Sequence, residues 1–123
     1  MNPTWEQIQN QLKQKIIAVD FDETITNYTP YPIQGTLRKD AEKYLHKLKE
    51  KGYRLILWSA RFDCNYRKAI ELCNEWGLPI EEDTQDLLHG ESGKLVASFY
   101  IDDKATLGRL SWKKVYKYIV KNI

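Results

Sequence analysis

The chain has 123 residues, 42% hydrophobic and 29% charged, with 19 Lys and Arg against 17 Asp and Glu for a net charge of +2. This composition fits one globular domain and argues against disorder, and the charge does not point to nucleic acid, although it does not exclude it. No apolar run approaches the roughly 20 residues that span a bilayer, and Met1-Asn2-Pro3-Thr4-Trp5-Glu6 lacks the layout of a secretory signal. The expectation is a soluble, cytoplasmic protein with no membrane partner.

Trp5, Ile8 and Leu12 recur at helical spacing after Asn2-Pro3, which predicts a helix over 3–14. Residues 15–21 form a continuous apolar run, the pattern of a strand covered on both faces. A polar stretch over 22–35 follows, interrupted by Pro30 and Pro32. Leu37, Ala41, Tyr44, Leu45 and Leu48 line one face of a second helix, stopped at Gly52. Residues 53–58 read as a second buried strand. Asp63 is placed to cap a third helix with Tyr66, Ala69, Ile70, Cys73 and Trp76 on its apolar face, ended by Gly77 and Pro79. A polar segment with the acidic cluster Glu81-Glu82-Asp83 leads to a third strand over 96–101, with a weak fourth strand pattern near Leu78-Pro79-Ile80. Ser111 caps a last helix facing inward with Trp112, Val115, Tyr116 and Ile119. Strands alternating with helices give an α/β fold: a single Rossmann-like three-layer domain over 1–123, with a mostly parallel sheet and helices on both faces. Cys64 and Cys73, placed on one helix, stand about 13.5 Å apart along its axis and point to opposite sides, so both are expected as free thiols.

Each strand run ends in polar residues: Asp20-Phe21-Asp22-Glu23-Thr24, then Ser59-Ala60-Arg61, then Asp102-Asp103-Lys104. In a parallel sheet these ends lie along the one edge where α/β folds bind ligands. Carboxylates crowded there need a counter-charge, and an all-oxygen set with room for waters and phosphate describes Mg²⁺ better than Ca²⁺. The plainer reading is that these aspartates are helix caps or solvated strand ends.

Asp20-Phe21-Asp22-Glu23-Thr24 matches DxDxT, the first motif of the haloacid dehalogenase superfamily. Ser59 resembles the second motif, Lys94 the third and Asp102-Asp103 the fourth, so the resemblance covers roughly three-quarters of the chain. It implies a Mg²⁺-dependent phosphomonoester hydrolase. Asp20 would be the nucleophile and Asp22 the general acid and then base. Asp20, the backbone carbonyl of Asp22, and Asp102 would hold Mg²⁺, with Asp103 in support. Ser59 and Lys94 would contact the phosphate, Thr24 would support the turn, and Arg61 is a further substrate contact or a surface salt bridge. The acid at Asp22 favours phosphoryl chemistry over carbon–halogen cleavage, since a halide leaves without a proton.

Neither interval in which relatives carry a cap domain has room for one here, so the site is expected to be capless. It would be open to a phosphorylated small molecule or polymer end, or covered by a second copy in a homo-oligomer. Tyr28 and Tyr31 are candidates for selectivity or for packing on the sheet edge. The four tryptophans read as core, with Trp5 or Trp112 as the alternative interface residues. His46 and His89 have no acidic partner nearby in sequence. Two other functions remain open at this point: a non-catalytic Mg²⁺- or phosphate-binding accessory module, and phosphotransfer to an acceptor other than water.

Overall fold

The computed structural model describes residues 3–27, 35–59, 63–90, 93–102 and 110–123. The expectations for Tyr28, Pro30, Tyr31, Pro32, Arg61, Asp103 and Lys104 lie outside them, as do the side chains of Asp63 and Cys64.

Three strands, β1 (Ile16–Val19), β2 (Arg54–Leu57) and β3 (Phe99–Ile101), form a parallel sheet in the order β2-β1-β3. Val19 pairs with Leu57 on one side and Ile101 on the other, so the three strands end level. Four helices accompany them among the described residues: α1 (Trp5–Leu12), α2 (Lys39–Glu50), α3 (Asp63–Glu75) and α4 (Trp112–Asn122). This is a Rossmann-like α/β arrangement.

The apolar runs are continuous because both faces of the sheet are covered. Ile17, Val19, Leu55, Leu57 and Ile101 project into the larger core, where α2 contributes Leu45 and Leu48, α3 contributes Ala69 and Cys73, and α4 contributes Trp112 and Ile119. On the other face Ile16, Ala18 and Ile56 meet Leu87 and Leu95, flanked by Trp58, Ala97 and Tyr100. Fully burying one such aliphatic side chain is worth about 1.5–3 kcal/mol. The cover is uneven: among the described residues three helices pack into one core, while Leu87, Leu95 and Ala97, from irregular chain, close the other.

That irregular chain explains where the sequence reading is off. The third strand is only three residues long because Val96 pairs elsewhere: its N–H donates to Leu88 O (3.0 Å) and its carbonyl accepts from Gln11 Nε2 (2.9 Å). Gln11 also donates to Leu88 O (3.1 Å) and accepts from Leu88 N (2.7 Å). Gln11 is therefore the buried residue of α1, and Trp5, expected in the core, is 70% exposed. The helix starts at Thr4 through a reciprocal capping box with Gln7 rather than at Pro3. Asp63 is the first helical residue of α3, not the residue before it. The weak fourth strand reduces to one parallel bridge between Ile56 and Glu81, with N–H···O distances of 2.8 and 2.9 Å.

Candidate active site

The ladder runs one residue past the strands. Asp20 N donates to Ile101 O and Trp58 N to Val19 O, both at 2.9 Å. Asp20 therefore occupies the centre of the carboxyl edge, with Trp58-Ser59 on one side and Asp102 on the other. Asp20, Ser59 and Asp102 are half-buried and Asp22 is exposed. The pleat that puts Ala18, Trp58 and Tyr100 on the face of the smaller core also carries Asp20 and Asp102 toward that face.

After Asp20 the chain folds back around one oxygen. Phe21 O accepts from the N–H groups of Thr24 (3.3 Å), Ile25 (3.0 Å) and Thr26 (3.3 Å). Glu23 makes the reversal with φ of 62°, a left-handed conformation that costs a non-glycine residue about 1–2 kcal/mol. Glu23 N donates to Thr26 Oγ1 at 3.2 Å, and Thr24 Oγ1 lies 3.5 Å from Asp20 Oδ2 as a donor. Thr24 and Thr26 are buried, so their hydroxyls serve the loop itself.

Two large side chains hold this loop from outside. Trp112 Nε1 donates to Thr24 O at 2.9 Å. Arg38 donates to Glu23 O (3.4 Å) and to Leu110 O (3.3 Å), and pairs with Asp40 at 2.7 Å. Burial works to raise the Asp40 pKa, but the hydrogen bonds and charge of Arg38, with the Ala41 N–H, hold it below the usual carboxylate value. The bonds to Leu110 O and Thr24 O are buried, so these two carbonyls would otherwise be cut off from water, while the bond to Glu23 O is part-buried. Leaving one such acceptor unpaired costs about 1–3 kcal/mol. Behind this clamp, between the starts of α2 and α4, lies a cleft of about 490 Å³ lined by Arg38, Lys43, Leu110 and Lys113.

Lys94 stands on a surface turn. Gly90 N donates to Lys94 O (2.8 Å), Gly93 N to Gly90 O (2.9 Å), and His89 bridges antiparallel to Leu95. Gly93 has φ of 82°, which only glycine adopts without strain. The Lys94 ammonium lies 4.2 Å from the Tyr100 ring centroid and 5.7 Å from that of Trp58. The two rings meet edge to face, 5.5 Å apart at 61°. The Tyr100 hydroxyl donates to Leu95 O, the residue after the lysine. At an exposed position such ring contacts are worth about 0.5–1 kcal/mol.

The acidic cluster beside β2 is dispersed onto three partners. Glu81 pairs with Arg54 (2.9 Å), Glu82 with Arg67, and Asp83 with His89 Nε2 (2.9 Å). His89 therefore has an acidic partner close by in the chain, Asp83 six residues before it, contrary to the expectation that it has none. Tyr66 ties this segment to the strand end, donating to Leu57 O (2.7 Å) and accepting from Asp83 N (3.0 Å). Burial pushes its phenol up to about 12.

The sheet thus brings Asp20, Ser59 and Asp102 to one edge and sets Asp22 on the loop that follows; Arg61 and Asp103 lie outside the described residues. No group of three or more His, Cys, Asp or Glu side chains clusters as a metal site among the described residues. Two aspartates and a main-chain carbonyl are nevertheless hard oxygen donors on a strand edge, a set that suits Mg²⁺ with water and phosphate completing its shell. Missed from sequence were Arg38 and Trp112, which hold the loop, and the Trp58–Tyr100 pair under Lys94. Arg38 sits in a polar helix start and Trp112 in an apolar face, so neither carried a signal of its contact.

No helix among the described residues is long and apolar enough to cross a membrane. No family model and no curated protein sequence matches the chain. Among solved structures, a 3-deoxy-D-manno-octulosonate 8-phosphate phosphatase from Moraxella catarrhalis is 16% identical over 94% of this chain and 91% of that chain, with a TM-score of 0.42. A conserved protein from Bacteroides thetaiotaomicron is 35% identical over 88% of this chain and 91% of its own, with a TM-score of 0.73. The chain belongs to the same family as that Bacteroides protein.

Proposed function

We propose that the chain is a phosphomonoester hydrolase of the haloacid dehalogenase type, working through an aspartyl-phosphate on Asp20. The observation that carries this reading is the level ending of three parallel strands, with Asp20 in the centre and Ser59 and Asp102 on the adjoining strand ends. The DxDxT spacing and the tight reversal after Asp22 support it.

In the first step an Asp20 carboxylate oxygen attacks phosphorus, and the bond to the leaving oxygen breaks. A carboxylate needs no activating base, because it is ionised at neutral pH. Asp22 gives its proton to the leaving oxygen, then takes one from the water that attacks the acyl phosphate and releases inorganic phosphate and Asp20. The clamp of Arg38 and Trp112 on Glu23 and Thr24 fixes the loop that presents Asp22. Ser59 donates a hydrogen bond to a phosphoryl oxygen, and Lys94 adds positive charge where negative charge accumulates. Asp20, Asp102 and the Asp22 carbonyl would hold Mg²⁺, with Asp103 in support; the ion supplies charge neutralisation for the phosphate and the crowded carboxylates.

The substrate is a phosphorylated small molecule or polymer end, met by a capless site in a single domain of a cytoplasmic protein. The test is hydrolysis of p-nitrophenyl phosphate and of larger phosphorylated substrates by wild type and Asp20→Asn, with Mg²⁺ and with EDTA. Turnover that needs both Mg²⁺ and Asp20 is expected. Undiminished turnover by Asp20→Asn would sink the mechanism.

A further inference from the structure

We propose that Trp58 and Tyr100 are positioning residues for Lys94: their rings hold its ammonium at rest, and phosphate bound at the strand ends draws it off them. The proposal rests on the reading of Lys94 as a phosphate-contacting cation.

An exposed lysine has a long, flexible stem and no preferred place. Lys94 is exposed, yet its ammonium lies over one ring at 4.2 Å and near a second at 5.7 Å. The rings are themselves fixed. They pack against the smaller core and against each other, and the Tyr100 hydroxyl is bonded to the carbonyl of Leu95, which is fully buried. Ring and lysine backbone are thus fastened to one another, so the contact is part of the turn's construction.

The rings also border the strand edge. Trp58 directly precedes Ser59, and Tyr100 lies two residues before Asp102. The proposed exchange is a swing of the lysine stem from a ring to a phosphoryl group at that edge. The chemistry explains why a neutral resting place is useful. An ammonium at an acidic edge is drawn to carboxylates, where it would neutralise the nucleophile and compete with a divalent cation for the same oxygens. An aromatic face attracts the ammonium through its quadrupole without presenting a charge. A phosphate offers a charge-assisted hydrogen bond, which is stronger, so the exchange runs toward phosphate when phosphate is present.

The test reads Lys94 directly. In a ¹H–¹³C spectrum of protein carrying ¹³C-labelled lysine, the Lys94 ε-methylene is assigned by its disappearance in Lys94→Arg. It is expected upfield of the other lysines through the ring currents, and at the ordinary position in Trp58→Leu and Tyr100→Leu. Adding Mg²⁺ and inorganic phosphate to wild type should return it to the ordinary position. Because the rings compete with phosphate for the ammonium, Trp58→Leu should bind inorganic phosphate about 2- to 5-fold tighter by calorimetry, where a merely structural role predicts weaker binding. Tyr100→Phe keeps the ring and guards against a folding artefact; it should retain the upfield signal. An unshifted Lys94 signal without phosphate, a signal that stays upfield at saturating phosphate, or weaker phosphate binding in a folded Trp58→Leu would each overturn the proposal. Absence of phosphate binding would overturn it together with the role of Lys94. Phosphate binding without Asp20-dependent turnover would overturn only the hydrolase reading.

Discussion

The two segments that flank the candidate site are built in opposite ways. The loop over 21–27 carries buried Thr24, Ile25 and Thr26, wraps a single carbonyl, and is gripped by a buried arginine and a buried tryptophan. The turn residues 89–90 and 93–95 include exposed Gly90, Gly93 and Lys94, and are anchored by Leu95 below and two aromatic rings beside them. The difference follows the work proposed for each. A nucleophile and an acid must be held within about half an ångström of their reacting atoms, so the carboxylate side is tied by interior hydrogen bonds. A cation that meets phosphate only when phosphate is present can rest on weak, neutral contacts.

If the strand end at Asp20 and the loop over 21–27 are the fixed, chemical half, substitutions there have the largest effects. Asp20→Asn should lower kcat by about 10⁴-fold or more with little change in melting temperature. Asp22→Asn should lower it by about 10²- to 10⁴-fold while phosphate still binds. Steady-state kinetics and thermal unfolding on the same preparations check both. Trp112→Phe probes the clamp itself. It preserves most of the buried volume but removes the donor to Thr24 O, so unfolding should become easier by about 1–3 kcal/mol in urea titrations. Turnover should fall more in kcat than in KM. An unchanged kcat would mean the loop keeps its place without the indole, and the contrast between the two segments would lose its basis.

What could be read in advance divides along the same line. The parallel α/β fold and the strand-end carboxylates were legible, because buried strands make continuous apolar runs and DxDxT is a local pattern. The contacts made across the fold were not. Gln11 looks like a solvent-facing helix residue, yet it satisfies three main-chain groups of the 88–96 segment, 77 and 85 residues away. Trp5 looks like core because it shares spacing with Ile8 and Leu12, but polar Gln11 takes the buried position. Periodicity reports which residues share a face, not whether anything packs on that face. For the same reason Arg38 and Trp112 gave no sign that both would reach one loop.

Gln11 gives a smaller effect, on the other segment. Gln11→Leu keeps the size but takes the Gln11 partner from Leu88 N and Val96 O, and leaves Leu88 O with the Val96 N–H alone, so stability should fall by about 1–3 kcal/mol. Since Leu95 sits beside these groups, the Lys94 turn should loosen before the 21–27 loop does. Amide hydrogen exchange would then accelerate at Leu88 and Val96 ahead of Thr24 and Ile25. Equal acceleration in both segments would erase the distinction between them.

The smallest effect is a pH dependence that belongs to the fixed half. Cys73 lies fully buried in the larger core, and burial alone pushes its thiol from 9.0 up to about 12. In the unfolded chain the thiol loses its proton near its ordinary value, while the folded protein keeps it. The folded value is the raised one, so stability is unaffected below about 9 and declines as pH rises toward about 12. Within that window one buried group contributes at most about 1.4 kcal/mol per pH unit. Tyr66 adds a loss of the same sign, beginning near 10.0, through burial of its phenol between Leu57 O and Asp83 N. The two are best separated between pH 9 and 10, where the thiol titrates ahead of the phenol in the unfolded chain. Urea midpoints measured there should fall more steeply with pH in wild type than in Cys73→Ala, even though that variant is less stable throughout. In a Cys64→Ser background, a thiol reagent at neutral pH should reach Cys73 only as fast as the protein unfolds. Fast labelling of the native protein would show that the core beneath the strand edge opens readily, and the tight hold on the carboxylate segment could not then come from that core.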